Sequence, residues 1–279
     1  MAAAHQCTRL PECPAKGPPG AGEPPPVADY PNRFSCVRLT NASQGGGSRC
    51  GASLMALVAP SLLAGDFAHL AEALEIIKAA GASMVHVDVM DGHFVPDITV
   101  GQPVIASLRK ATDLVLDVHL LIERPERYAG EFADAGADRL SVHVEATSQL
   151  PRILDVIRAR GAKAGVALNP ATPVELLAEV VGDIDFVNIL TADPGLKEGA
   201  FIPGSVAKVR AAAQARADHG LEFTLQVEGA VGFHNLEELI GAGADILVAG
   251  SAIFNSDTLR ARLSEMIRLA ARMPLTSSV

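Results

Sequence analysis

His86 and Asp88 stand two residues apart in the stretch His86-Val87-Asp88-Val89-Met90-Asp91-Gly92-His93-Phe94-Val95-Pro96-Asp97. The stretch begins apolar and ends in a polar turn broken by Gly92 and Pro96. On an extended strand, side chains two apart share a face, so this imidazole and this carboxylate would project together. Such a pair suits a metal or proton-transfer site; a hydrogen-bonded core His–Asp pair is the alternative that the pattern alone leaves open. Related pairs recur further on: Asp117 with His119, His143 with Glu145, and a lone Glu228 that closes an apolar run. His86, Asp88, His119 and Glu228 together offer two imidazoles and two carboxylates. That set suits one Zn²⁺, Mn²⁺, Fe²⁺ or Co²⁺ better than Mg²⁺ or Ca²⁺, which prefer all-oxygen shells. His143, in an otherwise apolar run, is read as a core residue without a partner. Asp117 is read either as a group that orients a ligand or as a floor residue.

The elements that must position these residues repeat evenly. From Leu57 onward, apolar β-rich runs occupy 57–63, 83–90, 114–121, 139–145, 163–169, 184–190, 222–228 and 246–250. Helical patterns fall between them near 66–80, 101–110, 125–136, 148–160, 173–181, 203–218 and 233–242, with a last one at 257–272. Pro125 and Pro173 sit where first helical turns belong, and Gly136, Gly161 and Gly182 just past helix ends. Short apolar strands alternating with helices predict a parallel sheet with crossovers. Eight such units in about 215 residues predict an α/β fold, a closed TIM (β/α)₈ barrel, whose chemistry lies at the C-terminal strand ends. The candidate residues all fall at or near such ends.

The rest of the composition narrows the classes of function. The chain has 279 residues, 49% of them apolar and only 4% aromatic, so the core must be aliphatic. A net charge of −9 argues against nucleic acid as a partner. No run is long enough for a membrane span, and the start lacks the basic end and apolar stretch of a secretory signal. Cys7, Cys13, Cys36 and Cys50 match no zinc spacing and are read as incidental, which with the rest predicts a cytoplasmic protein. Residues 1–54 hold eight of the eighteen prolines, with Pro24-Pro25-Pro26 and Gly45-Gly46-Gly47. Disorder is the expectation there, and Met55, just before the first apolar run, is a candidate natural start. The expected organisation is thus an extension, 1–54, and one barrel domain, 55–279.

The motifs in chain order resemble the ribulose-phosphate 3-epimerase family. They are Ala59-Pro60-Ser61-Leu62-Leu63, His86 through Pro96, Leu116-Asp117-Val118-His119-Leu120, Val142-His143-Val144-Glu145-Ala146, Ala164 through Pro170, and Val248-Ala249-Gly250-Ser251-Ala252-Ile253-Phe254. The resemblance spans about residues 57–272 and implies an isomerase of the pentose phosphate pathway, oligomeric, with one divalent metal ion per subunit. It implies epimerisation at C3 of a ketose phosphate, D-ribulose 5-phosphate to D-xylulose 5-phosphate, through a cis-enediolate. Asp88 and Glu228 would be the two acid/base carboxylates, with His86 and His119 completing the metal shell. Ser61, His119 and Met90 would touch substrate, while Asp91 and His93 shape their loop. The phosphate would sit between the last two strand ends, against the backbone of Gly229, Ala230, Gly250 and Ser251.

Departures from the family pattern gather around the substrate. Val227-Glu228-Gly229-Ala230 replaces Val-Asp-Gly-Gly, and Lys197 and Glu198 replace two glycines of the loop after the sixth strand. Leu121 and Leu190 stand where the family has methionine, leaving Met90 alone. Two alternatives stay open: a 3-epimerase for a different ketose or ketose phosphate, such as allulose 6-phosphate, and a metal-binding barrel without catalysis. A synthase of similar fold, such as a hexulose-phosphate synthase, fits less well than an epimerase.

Overall fold

The computed structural model describes residues 55–195, 199–254 and 258–273. The extension 1–54 and the loop residues Lys197 and Glu198 lie outside the described residues. Eight strands form one parallel sheet: β1 Leu57–Pro60, β2 Met84–Met90, β3 Val115–Leu121, β4 Arg139–His143, β5 Lys163–Leu168, β6 Phe186–Leu190, β7 Thr224–Glu228 and β8 Ile246–Ala249. Their order is β1-β8-β7-β6-β5-β4-β3-β2. The remaining seam, β1 to β2, is joined by one parallel bridge between Ser61 and His86, which turns the sheet into a barrel. No described helix is long and apolar enough to cross a membrane.

The helices are α1 Leu70–Ala79, α2 Gln102–Ala111, α3 Ala129–Asp134, α4 Leu150–Arg158, α5 Ser205–Asp218, α6 Leu236–Gly241, the single turn α7 Ser251–Phe254, and α8 Leu259–Ala270. Each turns one apolar stripe to the sheet. In α4, Leu150, Ile153, Leu154 and Ile157 recur at the spacing of one helical face and are all buried. They share one buried core with strand residues such as Val85, Val87, Val89, Leu116 and Val118, which point out of the barrel. Full burial of each such side chain stabilises the fold by about 1.5–3 kcal/mol. Because side chains alternate along a strand, the residues between them point inward. His86, Asp88, Asp117 and His119 are therefore interior, and all four are buried.

One expected helix takes a different form. The segment 173–181 folds as a 3₁₀ turn, Val174–Leu177, and Gly182 lies inside a second, Val181–Asp183, instead of ending an α-helix. Its burial explains this. Val174 is half-buried and Leu177 and Val180 are buried, a strict spacing of three that suits 3.0 residues per turn. Gly136 and Gly161 behave as expected of residues past helix ends, with φ of +113° and +82°.

Candidate metal centre and active site

The cluster is assembled by cross-strand register. His86 pairs with Asp117, and Asp88 with His119, along the β2–β3 ladder. Glu228 ends β7, three strands from β2 around the ring through β8 and β1. One donor atom from each of His86, Asp88, His119 and Glu228 lies within 4.8 Å of all the others. His86 Nε2 is 3.1 Å from Asp88 Oδ1 and 3.2 Å from Glu228 Oε2. His119 Nδ1 is 3.3 Å from Asp88 Oδ1 and 3.0 Å from Glu228 Oε2. Neighbouring ligands each about 2.0–2.1 Å from one metal ion are separated by about 3 Å, as these four pairs are. The donor set and its spacing therefore fit one divalent ion.

Charge supports the same reading. Burial opposes a proton on His119, yet the nearby Glu228 charge and the hydrogen bonds and charge of Asp88 raise its pKa to about 9. His86 is raised well above its ordinary value for the same reason, Asp88 and Glu228 overcoming its burial. Glu228, which burial would raise, is instead held well below the carboxylate range by His119 and His86. Two carboxylates in an enclosed space demand positive charge, and without a cation the imidazoles supply it as protons.

Each histidine is gripped from behind. His86 Nδ1 lies 2.7 Å from Asp117 Oδ2. Asp117 in turn accepts from Arg139 Nε at 3.0 Å and from Gln226 Nε2 at 2.8 Å. Arg139 lies with its guanidinium carbon 3.8 Å over the Phe186 ring. That ring fills the space beside Gly165, where an added Cβ would come within 2.3 Å of it. Asp117 is thus both of the things expected of it, an orienting group and part of the floor. Burial would raise its pKa, but Arg139 and His86 hold it low.

His143 corrects the expectation of a partnerless core residue. Its Nε2 is 2.9 Å from His119 Nε2, and its Nδ1 is 2.9 Å from Glu145 Oε2. Glu145 also accepts from the Asn169 backbone at 2.8 Å and from the Thr172 hydroxyl. Burial would raise the Glu145 pKa, but these bonds bring it down to about 2. The two groups are i and i+2, a spacing visible in the sequence. Their link to His119 is across strands and is not.

Ser61 joins the cluster, its Oγ donating to Asp88 Oδ2 at 3.0 Å. Asn188, missed in the sequence, donates from Nδ2 to Glu228 Oε2 at 2.6 Å; a polar residue inside the apolar run 184–190 was its signal. Met90 packs with Val95 and Leu121 beside the cluster, with Phe94 against them. Asp91 accepts from the backbones of His93, Phe94 and Glu123, so it shapes the loop as expected. Gly229, Ala230, Gly250 and Ser251 follow β7 and β8, which are adjacent, but are not part of the His/Asp/Glu group. Gly229 has φ +105°, and a Cβ there would fall 2.7 Å from the Ala192 backbone. Ala230 is left-handed, with φ +51°, a conformation that glycine adopts freely.

A parallel eight-stranded barrel with such a cluster at the carboxyl ends of its strands is the architecture of a barrel enzyme. Residues 57–254 match the ribulose-phosphate 3 epimerase family. The Bacillus subtilis (strain 168) ribulose-phosphate 3-epimerase is 43% identical over 213 residues, covering 76% of this chain and 98% of that protein. The Treponema pallidum (strain Nichols) protein of the same name is 44% identical over 74% of this chain and 94% of its own length. Among solved structures, KGPDC from Streptococcus mutans superposes with a TM-score of 0.59 at 13% identity, covering 78% of this chain and 98% of that one. The latter likeness speaks for the fold alone. The chain belongs to the ribulose-phosphate 3-epimerase family and is an isomerase of the epimerase type.

Proposed function

We propose that the protein is a divalent-metal-dependent 3-epimerase that interconverts D-ribulose 5-phosphate and D-xylulose 5-phosphate. One observation carries the reading: carboxylates from β2 and β7 converge on the same two imidazoles within 4.8 Å at the strand ends. His86, Asp88, His119 and Glu228 would hold the ion, and Zn²⁺, Fe²⁺, Mn²⁺ and Co²⁺ all suit the donor set. When bound, the ion supplies Lewis-acid polarisation of the ketose carbonyl.

Epimerisation requires a proton to leave C3 on one face and return on the other. Asp88 and Glu228, three strands apart around the ring, take these two roles as general base and general acid. Ser61 Oγ steers Asp88 Oδ2. Asn188 and both imidazoles occupy Glu228 Oε2, which leaves Oε1 to move the proton. His119 and Met90 flank the reacting carbons, and the backbones of Gly229, Ala230, Gly250 and Ser251 receive the phosphate. The enzyme is further proposed to work in the cytoplasm, and as a homo-oligomer, which the family resemblance implies.

The test is isotope exchange. Metal-stripped protein reloaded with Zn²⁺, Mn²⁺, Fe²⁺ or Co²⁺ is incubated with ribulose 5-phosphate in D₂O, and deuterium at C3 is the expected result. No exchange with any of the ions would sink this reading. A second reading, a 3-epimerase for another ketose phosphate, is favoured by the longer Glu228 and the left-handed Ala230 at the substrate end. Exchange with a different ketose phosphate and not with ribulose 5-phosphate would establish it.

A further inference from the structure

The two histidines of the cluster present different nitrogens to it: His86 uses Nε2 and His119 uses Nδ1. A neutral imidazole carries one proton, so each ring faces a cation with a lone pair only if its other nitrogen holds the hydrogen. For His86 the arrangement is direct, because Asp117 accepts at Nδ1. For His119 the partner is another imidazole, His143, which can donate or accept. Something further along must decide.

Glu145 decides it. Its Oε1 accepts from the Asn169 backbone N–H, a donor that cannot reverse, and from the Thr172 hydroxyl. Its Oε2 faces His143 Nδ1 at 2.9 Å. A carboxylate only accepts, so His143 carries its hydrogen on Nδ1 and offers a lone pair at Nε2. His119 then donates from Nε2, across 2.9 Å, so the proton it gives up to a cation is the one on Nδ1, the nitrogen that faces the Asp88 and Glu228 oxygens. We propose that Glu145, acting through His143, is a positioning residue that fixes the tautomer of His119 and so makes Nδ1 a ligand atom. This rests on the metal site proposed above.

The relay can be reversed by a nearly isosteric change. In Glu145→Gln the Asn169 N–H and the Thr172 hydroxyl retain the amide oxygen, so the amide NH₂ faces His143 Nδ1. His143 must then accept there and donate from Nε2, and His119 is pushed to the tautomer with a proton on Nδ1. Thr172→Val removes one anchor of Glu145 and leaves the order of donors intact. Zn²⁺ affinity of the full-length, metal-stripped proteins is measured by competition with a chromophoric chelator. The expected result is binding about 10–100-fold weaker in Glu145→Gln and unchanged in Thr172→Val. Equal affinity in Glu145→Gln and wild type would overturn the relay, and so would equal weakening in both variants, which would mean a structural role. Should Glu145→Gln not fold, imidazole ¹⁵N–¹H spectra of the Zn²⁺-loaded wild type decide. Protons on His119 Nε2 and His143 Nδ1 are expected, and a proton on His143 Nε2 refutes the relay. A wild type that takes up no Zn²⁺ fails the proposed function instead.

Discussion

The floor and the rim of the barrel interior both bury charge, and they balance it differently. At the floor, Asp117 meets Arg139 in an ion pair whose side chains are 0% and 5% exposed, with Gln226 completing the carboxylate's bonds. At the rim, Asp88 and Glu228 face two imidazoles, which carry charge only while protonated. The floor is closed upon itself and serves to orient His86. With neutral imidazoles the rim would be two positive charges short, a deficit that protons on His86 and His119 fill in the metal-free protein and that a divalent cation could fill instead. Burial alone does not make a site; uncompensated burial does.

The largest expected effect comes from removing part of the deficit. Asp88→Asn should cut C3 exchange by about 10³-fold or more through loss of an acid/base, with an unchanged melting profile. An unfolded variant would show that the rim, too, is structural. The converse change belongs to the floor. Asp117→Asn leaves the Arg139 guanidinium buried without an anion, and should lower unfolding free energy by about 3–5 kcal/mol, read by urea titration.

Glu228→Asp should alter rate or metal preference by about 100-fold, since displacements of roughly 1 Å carry that cost, with little change in stability. An equal loss of stability would blur the distinction between the two regions. The pH response sharpens it. The raised His119 pKa adds stability to the metal-free protein that is complete below the unfolded value of 6.5 and lost as pH rises through about 9. Melting temperature with a chelator should therefore fall over that window, and apparent Zn²⁺ affinity should rise over it as competing protons leave. Glu145 acts in the opposite sense: its contribution is present above 4.5 and lost as pH falls toward about 2. The smallest effect concerns strain at the rim. Ala230→Gly should stabilise the protein by about 0.5–1 kcal/mol, the left-handed penalty of about 1–2 less the greater entropy of unfolded glycine. A lower melting temperature would mean that the Ala230 side chain has packing of its own.

What could be read in the sequence was periodic and local. The period of two placed His86 and Asp88 on one face, and the alternation of strands and helices gave the barrel and its reactive end. The register between strands has no such signature. Asp117 finds Arg139 22 residues away and Gln226 109 residues away, and His119 finds His143 only because β3 and β4 pair. For this reason Asp117 stayed ambiguous and His143 looked idle. The segment 173–181 differs from the expected helix because three- and four-residue spacings of apolar groups are hard to separate over so short a span.

Gly165 has no side chain and is not one of the four candidate ligands, yet the Phe186 ring occupies the place of its missing Cβ. Any larger residue there must displace that ring, and with it the Arg139 guanidinium stacked on it, then Asp117, then His86. Positions 165, 186 and 139 are therefore bound to drift together or not at all. A single methyl group gained in the barrel floor would thus reach the rim through this chain of contacts, while His86, Asp88, His119 and Glu228 stayed in the sequence.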